Sequence, residues 1–482
     1  MPIREPPAHG PRPGPLYPSG TAEHGGPRGG NGIVETIGDL VRRAVRSCPE
    51  CGAGVPVDER YVVWCAACDW NVDPGAPDPE GGRIAAARRR MARKHGEQLA
   101  AEMERSGESG QSSASRRSGE AFGPVKHDAN TVVAFGIALL VNGVTVFLAV
   151  AGVLLLLLGW GAGILPAIGA LMLGLAWLMR PRRPRLPKDG PVLYRADAPE
   201  LFALIDDVAD VVGTTGVHVV VVDTDANASV TNYGLRARRL LTIGLGLWEI
   251  LSPHERVALL GHELGHFANG DTRRGAFMDD ALRALAMWNY VLTPLPHSGL
   301  VDRIMAVLMW LPRWTVFGLL TLLDHLTLRQ SQRAEYLADR SAARAGSTEA
   351  AAALMDRLLV CGSVGDFLRR ESVGARTKVR LGGRDGRADG GRPEDGLWER
   401  LAANFADMPE HEYERLRRVA ALRGHSVDAT HPPTHLRRRC AAVHGPFAPQ
   451  VPYAAARAAA VAGELAPARA VLAREVIRDH AG

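Results

Sequence analysis

The chain has 482 residues, 46 % hydrophobic and 23 % charged, with a net charge of +5; at about 150 residues per domain this suggests roughly three units with room for a sizeable core. Six cysteines exclude a disulfide scaffold. The mean hydropathy of −0.05 averages very polar and very apolar stretches, which excludes a simple soluble single-domain enzyme, and 53 Gly and 32 Pro cluster in tails and linkers.

Residues 1–30 are dominated by Pro and Gly and lack apolar periodicity, so they read as a disordered tail. They carry no apolar h-region and are not a secretory signal. Residues 31–80 hold Cys48-Pro49-Glu50-Cys51 and Cys65-Ala66-Ala67-Cys68, two CxxC knuckles separated by 13 residues, the spacing of a zinc ribbon. Four thiolates close a tetrahedron and leave no open position, so this metal is structural. The alternatives are an iron site or a redox CxxC, which would need a thioredoxin-like βαβ unit that is absent. Tyr61, Trp64 and Trp70 would supply the small core, and a module of this size needs its metal to fold.

Residues 83–125 read as a basic helix and linker. Arg83–Glu104 combines strong helix formers with a basic first half, either a solvated helix or one that meets a membrane surface or an acidic partner. Residues 131–179 read as a transmembrane hairpin. Val132–Leu158 carries no charge over 27 residues, about 40 Å as a helix. Gly159–Gly163 punctuates the run and Ile164–Met179 is a second apolar pass. Arg180, Arg182, Arg183 and Arg185 follow the hairpin, Arg116, Arg117 and Lys126 precede it, and its turn has no basic residue. The positive-inside rule places both flanks in the cytoplasm, where reduced thiols also belong.

Residues 190–445 form the main domain. Its first part is mixed α/β, with strands expected at Val217–Val222 and Leu240–Leu245. Ser252–Asn269 is a helix opened by a Ser252/Glu255 capping box with Pro253 at its first position. Apolar stretches follow at 284–296 and 304–323, the second interrupted by Pro312 and Arg313, and Ser331–Ala345 is helical again. Residues 372–397, rich in Gly, Arg and Asp, look like a flexible insert, and residues 450–482 form an Ala-rich helical C-terminus.

The helix at 252–269 holds His262-Glu263-Leu264-Gly265-His266. Positions i and i+4 share a helical face, so both imidazoles can reach one ion, with the Glu263 carboxylate beside them. Gly265 allows close packing. A hydrolytic zinc site needs three protein ligands and an open position. Glu335, in Glu335-Tyr336-Leu337-Ala338-Asp339, is the best third candidate; the alternative for Glu335 and Asp339 is a solvated acidic pair.

The HELGH helix, the EYLAD segment and the late His431-Pro432-Pro433-Thr434-His435 together resemble the M48 family of membrane-associated zinc metallopeptidases, over about Pro191 to Arg439. Two membrane passes ahead of HExxH look more like its HtpX branch than its multi-pass CAAX-protease branch. The resemblance implies that His262, His266 and Glu335 bind the catalytic zinc and that Glu263 is the general base. It implies that Asp339 orients a ligand histidine, that His431 steadies the oxyanion or is a loop histidine, and that Asn227 touches substrate. His435 is left as structural. The fold class so implied is α+β, mainly helical: a membrane-anchored zincin-like peptidase domain with a transmembrane hairpin and a small N-terminal zinc ribbon.

The expected function is a membrane-bound zinc metalloendopeptidase with two zinc ions, one catalytic and one structural. Its partners would be polypeptide substrates, including membrane proteins, and the lipid bilayer, with a protein partner on the ribbon and nucleic acid disfavoured. A peptide could pair with an exposed strand edge, taken as Val217–Val222. His262, His266 and Glu335 can meet only on one membrane side, so the chain between them crosses zero or two times. The competing reading is a zinc-ribbon membrane adaptor whose peptidase activity is restricted or lost.

Overall fold

A computed structural model of the chain describes residues 45–74, 83–109, 129–159, 163–180, 185–188, 190–234, 236–269, 271–293, 299–381, 392–424, 431–443 and 445–479. The expected tail at 1–30, residues 110–125 of the expected basic helix and linker, and the centre of the expected insert, 382–391, lie outside the described residues. The chain divides into two units, one ending at Asn71 and one starting at Val72.

In the first unit β1 (Val45–Ser47) pairs antiparallel with β2 (Gly54–Pro56). Each CxxC closes a tight backbone turn. Cys48 N donates to Ala53 O at 2.8 Å and Gly52 N to Cys48 O at 3.0 Å, while Cys65 N donates to Trp70 O and Asp69 N to Cys65 O, both at 3.0 Å. Gly52 (φ 73°) and Asp69 (φ 59°) take the left-handed conformation that turns the chain back around the sulfurs. Val55 is buried with Cys48 and Cys65, and Val63 and Trp70 pack against them.

The second unit opens with α1 (Arg83–Ser109), followed by α2 (Ala129–Leu158) and α3 (Leu165–Met179). The α2–α3 hairpin closes on two glycines: a Cβ on Gly152 would lie 2.9 Å from Gly169 O, and one on Gly169 2.8 Å from Gly152 O. Small residues let the two backbones touch, as in membrane helix pairs.

A four-stranded sheet has the order β3 (Val192–Leu193), β4 (Val219–Asp223), β6 (Arg238–Gly244), β5 (Ala228–Tyr233); β4 and β6 are parallel and the other pairs antiparallel. Strand periodicity separates its faces. Val220, Val222, Leu241 and Ile243 join the main core with α4 (Pro199–Val212), while Val219, Val221 and Leu240 pack on the opposite side with Leu186, Val192 and Tyr233. The edge assumed from the sequence is therefore wrong: residues 219–222 lie in an interior strand, paired on both sides. Among the described residues the free edge next to α6 is β5, and Asn227 immediately precedes it.

After the single turn α5 (Leu245–Trp248) comes α6 (Pro253–Ala268). Its capping box forms as expected: Glu255 N donates to Ser252 Oγ at 3.4 Å and Ser252 N to Glu255 Oε2 at 2.7 Å. Next come α7 (Asp271–Val291) and α8 (Leu300–Gly346). The sequence suggested two segments, at 304–323 and 331–345; the structure makes them one 47-residue helix that runs through Pro312, about 70 Å long. Proline deletes one backbone donor; the packed part of α8 follows it, with Val316, Leu319, Leu320 and Leu323 in the cluster with α2 and α7. Ala281, Leu285 and Trp288 of α7 pack with Ala134, Ala138 and Val141 of α2 and Leu323 of α8. Ala129–Leu158 and Arg303–Gly346 are long and apolar enough to cross a membrane, with mean hydropathies of 2.5 and 1.6, and only 11 % of each apolar window is buried, unlike a soluble core helix.

The remaining helices are α9 (Thr348–Leu358), α10 (Cys361–Leu381), α11 (Leu397–Ala406), α12 (Glu410–Arg423), α13 (Thr434–Val443) and α14 (Ala455–Asp479). The expected insert at 372–397 is thus helical over its first ten residues and again at its end. Val364 and Leu368 anchor that helix in the main core, and Ser372 Oγ donates to Ile477 O at 3.3 Å.

Candidate active site and metal centres

The site forms where α6 crosses α8. A Cβ on Gly265 would come within 2.9 Å of Ser341 Cβ, and one on Gly261 within 2.9 Å of Ala345 Cβ. Small residues on both helices bring the backbones together, so the side chains one turn along must interleave. These are the histidines of α6 and the acids of α8. His262 Nε2 lies 3.4 Å from Glu335 Oε2, and His266 Nε2 lies 3.6 Å from Glu335 Oε1. The two imidazoles stand edge to face, with centroids 4.9 Å apart. Glu335 thus points at both histidines rather than into solvent, and it is buried.

The segment leading into α13 supplies a third nitrogen. His431 Nε2 is 3.2 Å from Glu335 Oε2, and the donor atoms of His262, Glu335 and His431 all lie within 4.8 Å of one another. His266, although 3.6 Å from Glu335 Oε1, stands outside this group, as does His435. Asn227 is exposed at the start of β5, its carbonyl accepting from Gly244 N at 2.9 Å. Glu263 is buried beside His262 on α6.

Beneath the donors lies a charged layer. Asp339 Oδ1 is 3.0 Å from His262 Nδ1, on the ring edge opposite Glu335. Arg437, 1 % exposed, donates to both carboxylate oxygens of Asp339 at 2.9 and 2.7 Å. Its Nη2 also stands 3.4 Å from Glu335 Oε2. Burial pulls the His262 pKa down, but Asp339 and Glu335 overcome it and lift the pKa to about 10. Burial raises Asp339, and Arg437 and His262 bring it down to about 2. In Glu335, burial is outweighed by His262 and Arg437, which hold the carboxyl well below its usual range.

Arg437 escaped the sequence reading because it opens a run of three arginines. The signal was the apolar spacing of Leu436, Cys440 and Ala441, which turns that arc of α13 inward.

Both donor sets suit zinc. Glu335 Oε2 is buried and makes no hydrogen bond among the described residues, although three nitrogens stand 3.2–3.4 Å away, as a carboxylate oxygen aimed at a shared cation would. In the first unit Cys48 Sγ and Cys68 Sγ are 3.6 Å apart, as are Cys51 Sγ and Cys65 Sγ, and none of the four is in a disulfide. Tetrahedral zinc with Zn–S bonds near 2.3 Å requires sulfur separations of about 3.8 Å.

Residues 195–444, which contain the whole histidine–carboxylate group, match the family described as Peptidase family M48. The chain belongs to this family. Protease HtpX of Pseudomonas putida strain GB-1 is 29 % identical over 142 residues, 28 % of this chain and 47 % of that protein. Protease HtpX of strain W619 is 30 % identical over 142 residues with the same coverage. The chain thus spans about half the length of the curated relatives it matches. No solved structure matches. Within this M48 chain the four-cysteine unit, α1 and the α2–α3 hairpin all precede the matched span.

Proposed function

We propose that the protein is a membrane-bound zinc metalloendopeptidase with a zincin-like site, as the HtpX name of its relatives implies. The observation that carries this reading is the Glu335 carboxylate, which faces His262 Nε2 with one oxygen at 3.4 Å and His266 Nε2 with the other at 3.6 Å, with Glu263 on the same helix turn as the histidines. These three residues would hold the catalytic zinc, which supplies a polarised scissile carbonyl and a water of lowered pKa. Glu263 takes the proton of the attacking water and delivers it to the leaving amine. Asp339, fixed by Arg437, keeps the His262 proton on Nδ1 so that Nε2 is free to ligate. His431, whose Nε2 is 3.2 Å from Glu335 Oε2, would steady the oxyanion. The peptide would lie antiparallel along β5, with Asn227 holding its backbone.

The domains would then be a four-cysteine zinc ribbon within 31–80, a transmembrane hairpin within 131–179 and a peptidase domain over 190–445. His262, His266 and Glu335 would have to lie on one membrane side to share the zinc, so the chain between them would cross the bilayer zero or two times. The basic flanks put the ribbon and the site in the cytoplasm. Substrates are polypeptides, including membrane proteins in a quality-control role, and the ribbon adds a protein-binding surface.

The test uses the full chain in detergent, with unfolded casein as probe. Cleavage should depend on zinc, and Glu263→Gln should lose at least about 100-fold in rate while keeping its zinc. Equal rates in wild type and Glu263→Gln, both zinc-loaded, would leave the adaptor reading standing instead.

A further inference from the structure

One turn of α1 touches both segments that carry the metal donors. Gln332 and Tyr336 flank Glu335 on α8, and both are fully buried. Gln332 Nε2 donates to Ala92 O at 2.9 Å and Tyr336 Oη to Gly96 O at 3.0 Å. These acceptors are consecutive-turn carbonyls of α1, already engaged within the helix, so the side chains are bound to a rigid rail rather than to a loop. On its other side the same turn meets the residues that follow His431: a Cβ on Gly96 would stand 3.0 Å from Pro433 Cδ and 3.7 Å from Pro432 Cβ. Leu99, Ala100 and Met103 complete the contact, packing with Tyr336, Leu436 and Cys440.

Glu335 and His431 stand 3.2 Å apart yet lie nearly a hundred residues apart in the chain. Their spacing depends on whatever holds α8 and the His431 segment together. The family match begins at residue 195, well after α1, so the matched domain does not include this brace.

We propose that the Ala92–Gly96 turn of α1 is a positioning element of the metal site: by gripping Gln332 and Tyr336 on one side and Pro432–Pro433 on the other, it sets the separation of Glu335 and His431. The proposal rests on the metallopeptidase reading for its catalytic consequence, but not for its effect on metal affinity. Gly96 is required because any side chain there would wedge Pro433, and His431 with it, away from Glu335. The Tyr336 hydroxyl is required because it fixes the rotation of α8 one residue past Glu335.

The test compares Gly96→Val, Tyr336→Phe and the exposed control Arg89→Ala, outside this turn, in the full detergent-solubilised chain. Zinc affinity is read by competition with a fluorescent chelator, the donor geometry by the visible spectrum of the cobalt-substituted protein, and turnover on unfolded casein. Gly96→Val and Tyr336→Phe should each weaken zinc binding about tenfold and shift the cobalt bands. Both should lower kcat with KM little changed, and Arg89→Ala should match wild type. Tyr336→Phe removes a single oxygen and decides the matter if Gly96→Val does not fold. Wild-type affinity and an unshifted cobalt spectrum in Tyr336→Phe would overturn the proposal. A wild-type protein that binds zinc but does not cleave casein would overturn the peptidase reading alone, leaving the affinity and spectrum to judge α1.

Discussion

Arg437 and Asp339 form a bidentate ion pair in the interior, with the guanidinium donating at 2.9 and 2.7 Å and both side chains almost fully buried. Asp339 in turn faces His262 Nδ1 at 3.0 Å, so a residue near the end of the family span sets the ring orientation of a residue 175 positions earlier. Such a buried pair adds little net stability when intact and costs much when halved. Arg437→Met should therefore lower stability by about 3–5 kcal/mol, read as a fall in thermal midpoint. Arg437→Lys keeps the charge but cannot bridge both oxygens. It should fold and bind zinc about 10–100-fold more weakly, measured by chelator competition.

The six cysteines should separate by reactivity. Burial pushes the thiols of Cys361 and Cys440 up to about 12. The thiolate is the reactive form, so at pH 8 only about one part in ten thousand of each is available. Iodoacetamide labelling of the folded chain, read by mass spectrometry, should spare both at pH 8 and begin to modify them only as the pH is raised towards 10. Cys48, Cys51, Cys65 and Cys68 should resist while zinc is bound and label together after chelation. Labelling of all four in the zinc-loaded protein would contradict the ribbon.

Peptide binding along β5 has its own test. Gly244 N donates to Asn227 O, and in an antiparallel ladder the bonded pairs alternate. Ser229, Thr231 and Tyr233 therefore bond to β6, while Ala228, Val230 and Asn232 turn their backbone groups to the open edge. Val230→Pro removes one outward donor and should raise KM for casein several-fold with kcat less affected. Thr231→Pro breaks the ladder itself and should destabilise the domain. Equal KM in wild type and Val230→Pro would remove β5 as the docking edge.

The membrane reading predicts a depth-dependent penalty. Val146 sits mid-way along α2 and is 61 % exposed. On a soluble surface Val146→Arg would cost almost nothing, but at the centre of a bilayer-spanning helix it costs about 2.5–3.5 kcal/mol on insertion scales. An insertion assay with glycosylation reporters should show reduced membrane integration for Val146→Arg and none for the same change near the helix end. Equal integration would argue against α2 as a span.

Local chemistry was open to reading from the residues alone. The CxxC pairs, the charge-free run of α2, the Ser252/Glu255 cap and the HELGH face are each settled by neighbours within a few residues, through spacing, hydropathy or a hydrogen bond that a single turn completes. The candidacy of Glu335 was legible only as one acidic residue among many, and Arg437 was hidden in a basic run. Non-local arrangement needed the fold. Which strand forms the free edge depends on pairing order, because 219–222 and 228–233 are both plausible strands until β6 inserts between them. Continuity of α8 through Pro312 is not legible locally, because a proline inside an apolar run reads equally as a break. The grouping of His262, His266, Glu335, His431 and Arg437 depends on glycines and alanines that let two distant helices meet. Sequence by itself thus determined which groups could ligate, ionise or enter a bilayer, since those are properties of side chains and short runs. Tertiary structure alone decided which of them meet, because close packing of remote segments sets the distances on which coordination and charge pairing depend.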